Sequence, residues 1–213
     1  MAEFLLLGGG GHARVVVSVL NRIDAGTVIG YTDQKDRGRI AGVPYLGSDE
    51  VIATLVQERK TLAGVLGLGN VRDPVLRRSV AEHATATGLS FPVIASPTAV
   101  VNEGVSLAAG TIVLDGAVVN VDATTGTFCI INSNATVEHD CRLGDFVHVA
   151  PGATISGSVS VADNVLVGAG AVVMQSIAIC SDVIVGAGAV VIREIDEPGV
   201  YVGNPARRVR ERP

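Results

Sequence analysis

From Val101 to Val191 every sixth residue is aliphatic, with Thr125 the one exception. Four positions after each of these stands a small or β-branched residue, as at Thr111, Ala117, Ala123, Cys129, Ala135 and Cys141. The position just before that one is mostly Gly, Asn or Asp (Gly104, Gly110, Gly116, Asp122, Asn134, Asp140, Gly152, Asn164). Those are the residue types that accept a positive φ at a tight corner. A six-residue unit with two inward side chains and one corner closes on itself after three units, giving a triangular prism with about 18 residues per turn. Five coils at the inter-strand spacing make a prism roughly 24 Å tall. Cys129 and Cys141 fall on inward positions, where a cysteine behaves as a small buried hydrophobe.

The residues before this repeat follow a different grammar. Phe4–Leu7 reads as a strand that runs into Gly8-Gly9-Gly10-Gly11-His12, and Ala13–Leu20 has helical apolar content. Val28–Tyr31 and Val65–Leu68 read as further strands, closing on Asp33 and Gly69. Ser48 with Asp49 and Glu50 reads as the capped, acidic start of one helix, and Asp73-Pro74 as the start of another that stops at Gly88. Strand alternating with helix predicts a parallel, Rossmann-like α/β domain over 1–92, followed by an all-β parallel β-helix over 93–213. Gly8-x-Gly10-x-x-Ala13, after a strand and opening a helix, presents backbone amides suited to a diphosphate. By itself the pattern also describes a tight turn.

Composition removes several function classes. The 213 residues carry a net charge of −5, with 3% aromatics and no Trp, which opposes a nucleic-acid binder. No apolar run approaches the ~20 residues of a membrane span, and the acidic start at Glu3 is unlike a secretory leader, so a cytoplasmic protein without membrane insertion is expected. Three cysteines (Cys129, Cys141, Cys180) match no zinc spacing. Hydrophobic residues make up 48% and charged residues 17%, more apolar surface than a small monomer hides, so oligomerisation is expected.

In the prism register, residues 18 apart stack. His139 then lies at a corner beside Asp140, between Val121 in one adjacent coil and Gly157 in the other, which leaves open space over the imidazole. A histidine whose tautomer is fixed by a neighbouring carboxylate is the arrangement of a general base. The outward column Ile112, Ile130, His148, Leu166, Ile184 is expected to meet another subunit or an acyl-carrier arm, and Phe128 over Phe146 to cover part of such a groove. His83 reads as a solvated helix residue.

The segments Asn132-Ser133-Asn134-Ala135-Thr136-Val137-Glu138-His139-Asp140-Cys141 and His148-Val149-Ala150-Pro151-Gly152-Ala153, with the glycine-rich GGGGHA and Val202-Gly203-Asn204-Pro205-Ala206, resemble the NeuD/PglD-type sugar acetyltransferases. The resemblance implies a left-handed β-helix that forms a homotrimer, with acetyl-CoA as co-substrate between neighbouring prisms. It further implies an N-terminal domain that holds a nucleotide-linked amino sugar. Residue by residue it implies His139 as base with Asp140 behind it, and Gly10, Gly11, His12, Asp33, Gly69 and Asn132 toward the sugar nucleotide. His148, Gly157, Ala169, Ala187 and Asn204 would lie toward acetyl-CoA. The basic tail Arg207, Arg208, Arg210 and Arg212 follows the loop that borders the CoA groove in the family, which suggests pairing with a CoA phosphate.

N-acetylation of the amino sugar is the expected activity, and O-acetylation of a sialic acid is the alternative. A zinc hydratase on this β-helix needs three histidines where the repeat supplies two, so no metal is expected. A prism serving only as a trimerisation scaffold would have no use for the His139-Asp140 pair.

Overall fold

The computed structural model describes residues 2–69 and 74–212; Asp73, expected to cap a helix, lies outside them. The chain divides into two compact units, Met1–Pro97 and Thr98–Pro213.

In the first unit, β1 (Ala2–Leu7), β2 (Gly26–Thr32), β3 (Tyr45–Gly47) and β4 (Leu62–Leu66) form a parallel sheet in the order β3-β2-β1-β4. β1 is central, and Leu5, Leu6 and Leu7 are all fully buried, as expected of an interior parallel strand covered on both faces. Each such leucine contributes about 1.5–3 kcal/mol of transfer free energy. Helix α1 (Gly11–Arg22) buries Ala13, Val16, Val17 and Leu20, the i, i+3, i+4, i+7 stripe of an amphipathic helix. α2 (Ile52–Glu58) and α3 (Pro74–Ala86) follow. The strand expected at Val65–Leu68 lies earlier, and β3, three half-buried residues, has no apolar run to reveal it. Ser48 makes no side-chain cap bond. Gly88 has φ +89° and its N–H donates to Thr85 O at 2.9 Å, which ends α3 as expected.

The second unit is the hexapeptide prism, a left-handed parallel β-helix. Its first face stacks strands that include Thr124–Thr125, Arg142–Leu143 and Ser160–Val161. The second includes Ile130–Ile131, His148–Val149 and Leu166–Val167. The third includes Val118–Val119, Thr136–Val137 and Thr154–Ile155. Val113, Val119, Ile131, Val137, Val149, Ile155, Val167 and Val173 are fully buried, as are Ala117, Ala135, Ala153 and both Cys129 and Cys141. Val101, in the first coil, is 41% exposed. The Gly, Asn and Asp corners all have positive φ, and so do Phe128, Phe146, Ser158 and Ser176. The cost of placing a side chain there, about 1–2 kcal/mol each, is partly offset at Phe128 and Phe146. Their rings stack at 5.1 Å and 17°, an arrangement that contributes about 0.5–1.5 kcal/mol.

One expectation fails here. Ile112 (1% exposed), Ile130 (0%), His148 (3%) and Leu166 (8%) are already buried in the single chain and Ile184 is half-buried, so four of the five members do not wait for a subunit or carrier arm to cover them. The sequence register shows which way a side chain points, but not what lies over it.

Candidate active site

The prism register assigns the site residues of the second unit to two different edges. His139 and Asp140 follow the third-face strand Thr136–Val137 and precede the first-face strand Arg142–Leu143. Gly157 stacks on the same corner. Asn132 follows the second-face strand Ile130–Ile131 and precedes Thr136–Val137, so it belongs to the next corner round. Ala169 follows Leu166–Val167, and Ala187 follows Val183–Val185, at that same second corner. Gly203 O accepts from Val190 N at 3.0 Å and Ala206 N donates to Val190 O at 2.8 Å, which brings Asn204 there too. The two edges are one prism side apart, on the order of 15 Å for an extended segment of this length. One chain therefore does not bring His139 together with Asn132 and His148.

At the first edge, Nδ1 of His139 is 2.8 Å from Oδ2 of Asp140. The carboxylate is an acceptor only, so Nδ1 carries a proton, and in the neutral imidazole Nε2 keeps its lone pair. Asp140 sits in the left-handed region, φ +59°, which turns its carboxylate back onto its neighbour. The bond to Asp140 raises the His139 pKa; burial opposes this, and the charges of Asp140 and Glu138 add to the rise. The space over the ring is not empty as expected. A Cβ at Gly157 would lie 2.6 Å from both Cε1 and Nε2 of His139, so the imidazole itself leans into the volume that the missing side chain leaves.

At the second edge, Asn132 Oδ1 accepts the Ser133 N–H at 2.8 Å, which turns its Nδ2 toward His148 Nε2 at 3.0 Å. The amide donates, so His148 Nε2 is an acceptor and the imidazole proton is on Nδ1. His148 is buried and Asn132 half-buried, and together they form a fixed polar pair at the base of this edge. Of the basic tail, Arg208 donates to Pro198 O (3.0 and 2.9 Å), and Arg212 donates to Asn164 O and lies 3.7 Å from Asp182. These two arginines secure the chain's own end, while Arg207 and Arg210 stay exposed.

The first unit carries a cleft of about 420 Å³ lined by Gly8, Thr32, Asp33, Arg37, Asp49 and His83. Asp33 Oδ2 accepts from Gly9 N and from Arg37 Nε, both at 2.9 Å, and Lys35 N donates to Oδ1 at 3.2 Å. Burial pushes the Asp33 carboxyl up, but the Arg37 bond and the Gly9 and Lys35 amides outweigh it and hold the pKa below its usual value. Asp33 thus fastens the glycine loop. Gly10 caps α1 with no side-chain cap bond, the first turn holds no acidic residue, and a Cβ at Gly10 or Gly11 would meet nothing within 4 Å. Open amides at a helix start suit a diphosphate. His12 and Gly69 adjoin this start, with a Gly69 Cβ placed 3.8 Å from His12 Cβ. Burial, with the nearby Arg77 charge, lowers the His12 pKa to about 4, so its imidazole is neutral at physiological pH.

Sequence reading missed Arg77, which is 1% exposed and donates from Nε to Leu68 O at 3.0 Å. It also missed Arg37, Thr32 and Asp49, where Thr32 Oγ1 donates to Asp49 Oδ1 at 2.6 Å. His83 lines the cleft with Leu76 and Val80. Their i, i+4, i+7 spacing on α3 was the available signal. Among the described residues, no group of three or more His, Cys, Asp or Glu is placed to hold a metal ion, and no helix is long and apolar enough to cross a membrane.

The PglD N-terminal domain family matches residues 3–84. Comparison with curated proteins gave no match. Among solved structures, the chain is similar to the perosamine N-acetyltransferase of Caulobacter crescentus, solved with CoA and GDP-perosamine, at 33% identity and TM-score 0.92, covering 99% of this chain and 98% of that one. It is also similar to the acetyltransferase domain of PglB from Neisseria gonorrhoeae, solved with acetyl coenzyme A, at 31% identity and TM-score 0.91, covering 97% and 98%. WeeI of Acinetobacter baumannii shares the fold, with TM-score 0.88 at 23% identity, covering 98% and 100%.

Proposed function

The chain belongs to the NeuD/PglD-type sugar acetyltransferase family, and from that premise we propose that it transfers an acetyl group from acetyl-CoA to the amine of a nucleotide-linked amino sugar in the cytoplasm. The observation that carries this reading is a similarity running the length of both units, to a relative that holds CoA and an amino-sugar nucleotide together. That relative's amino sugar favours an amine acceptor over the hydroxyl of a sialic acid. The nucleotide diphosphate rests on the Gly10–Gly11 amides beside neutral His12, and the nucleoside enters the cleft framed by Asp33 and Arg37.

The acceptor ammonium gives one proton to solvent, the lone pair so freed attacks the thioester carbonyl, and His139 Nε2 takes the second proton from the nitrogen as the N–C bond forms. The tetrahedral intermediate collapses, the C–S bond breaks, and the proton held on His139 passes to the departing thiolate. Asp140 keeps the proton on Nδ1 throughout and stabilises the imidazolium. No acyl-enzyme forms.

The working unit is a homotrimer. His139, Asp140 and Gly157 lie on one prism edge, and Asn132, His148, Ala169, Ala187 and Asn204 on another, so a complete site needs the second edge of a neighbouring copy. Val121 (43% exposed), Met174 (42%) and Ile192 (40%) lie on or beside the His139 edge, where apolar side chains suit a subunit contact.

The test is acetyl-CoA thiol release with GDP-, UDP-, TDP- and CMP-linked amino and neutral sugars, followed by analysis of the product bond. Turnover confined to amino sugars, giving an alkali-resistant amide, is the expected result. Turnover confined to sialic acid or its CMP form, giving a labile ester, would reject N-acetylation. A monomeric mass by light scattering at micromolar concentration would reject the shared site.

A further inference from the structure

A column of side chains climbs the third face to the residue just before His139. Asn102 Nδ2 donates to Asn120 Oδ1 at 3.1 Å, and Asn120 Nδ2 donates to Glu138 Oε2 at 2.9 Å. The direction of the column is fixed, because Asn120 Oδ1 also accepts the N–H of Val121 at 2.9 Å. With that oxygen held by two donors, the Asn120 amide can only present N–H groups to the next coil. The ladder therefore ends on an acceptor, and that acceptor is a carboxylate whose Oε2 takes the Asn120 N–H, with no hydrogen bond to Oε1 among the described residues. Glu138 is half-buried, and its backbone N–H donates to Ile155 O at 2.9 Å, so its stem is fixed as well.

The chemistry of the reaction gives this carboxylate a use. An amino sugar reaches the enzyme near neutral pH largely as an ammonium ion. His139 can accept a proton from it but offers no negative charge, and the Asp140 oxygen nearest the ring is committed to Nδ1. Glu138 precedes His139 in the chain and lies close enough for its charge to act on the imidazole. Arg142 is the one basic residue between Leu89 and Ile192, so cationic competition for this carboxylate is small.

We propose that Glu138, held by the Asn102–Asn120 ladder, binds the acceptor ammonium and confers preference for an amine over a hydroxyl at the acetylated position. This rests on the N-acetylation reading above. A charge-assisted hydrogen bond of this kind corresponds to roughly a 10-fold or greater preference in dissociation constant. Glu138→Gln keeps an oxygen for Asn120 and nearly the same volume while removing the charge. Asn120→Ala keeps the charge and removes its support.

The experiment measures, by calorimetry at pH 7, the dissociation constants of GDP-perosamine and of the GDP-hexose with hydroxyl in place of its amine. Should another amino-sugar nucleotide of the panel be the one the wild type acetylates, that compound and its hydroxyl counterpart serve as the pair. The wild type is expected to bind the amine about 10-fold tighter. Glu138→Gln should bring the two within about threefold, with hydroxyl binding unchanged, and Asn120→Ala should give a smaller narrowing. An unchanged ratio in Glu138→Gln, or parallel weakening of both ligands as a structural defect would give, overturns the proposal. An unchanged ratio in Asn120→Ala overturns the role of the ladder. If the wild type neither binds nor acetylates any amino-sugar nucleotide, the N-acetylation reading itself fails.

Discussion

Replacing Gly157 by Ala tests whether this glycine exists to seat the His139 imidazole that we propose as the base. An added Cβ would lie 2.6 Å from Cε1 and Nε2 and 3.2 Å from Cδ2 of His139, where ordinary contact begins at about 3.4 Å. The three nearest atoms all belong to that ring, and Gly157 is not among the residues of positive φ, so the prism tolerates alanine and only the imidazole must move. The required shift is about 1 Å, and a displacement of that size at a reacting group costs on the order of 10²-fold in rate, about 2.7 kcal/mol. Steady-state thiol release should show kcat lowered by about that factor with KM for acetyl-CoA little changed. Combined with His139→Asn, the alanine should add almost nothing, because a group that acts through another is non-additive with it. A kcat within about threefold of wild type would refute the reasoning. So would a full further loss on the His139→Asn background, which would assign Gly157 to CoA directly.

Asp140→Asn removes the largest cause of the raised His139 pKa. Since the base works in its neutral form, kcat/KM rises with pH through that pKa, and the acid limb of the profile should move to lower pH in the variant while the maximum falls by at least about 10-fold; an unmoved limb contradicts the pairing. Asp33→Ala releases both the Gly9 amide and Arg37, so KM for the nucleotide sugar should rise by about 10-fold or more with KM for acetyl-CoA unchanged. Equal effects on the two substrates would contradict the division of sites. Thr125→Val leaves the Ala108 N–H, now 3.2 Å from Thr125 Oγ1, without that acceptor, and should lower stability in urea by about 1–3 kcal/mol. An unchanged midpoint would show that the break in the aliphatic series has no structural role.

The prism was legible because its determinants are local. An aliphatic residue every six positions and a corner that accepts positive φ specify the coil, and Val137, Ala135 and Asp140 behave as the period requires. Thr125 broke the series yet kept the fold, since its hydroxyl meets Thr111 Oγ1 at 3.3 Å inside the prism. What lay beyond the period was harder to read. The burial of Ile112 and Ile130 depends on what covers an outward face, and the lean of His139 over Gly157 depends on a rotamer. The first unit yielded β1, β2 and β4 through apolar runs, while β3 has none, and Arg77 gave no warning of its burial, because an arginine on a helix ordinarily reads as solvated. Asp33 stood out at the end of its strand, and the structure puts its carboxylate on Gly9 and Arg37 rather than leaving it free.

Kinetics of the His139→Asn variant with acetyl-CoA and the amino-sugar nucleotide that the wild type turns over test the central claim most directly. Asparagine keeps polarity and approximate size but cannot carry a proton between nitrogen and sulfur. The expected result is a fall in kcat of at least about 10²-fold with both KM values little changed. Turnover near that of the wild type would contradict the assignment of His139 as the base.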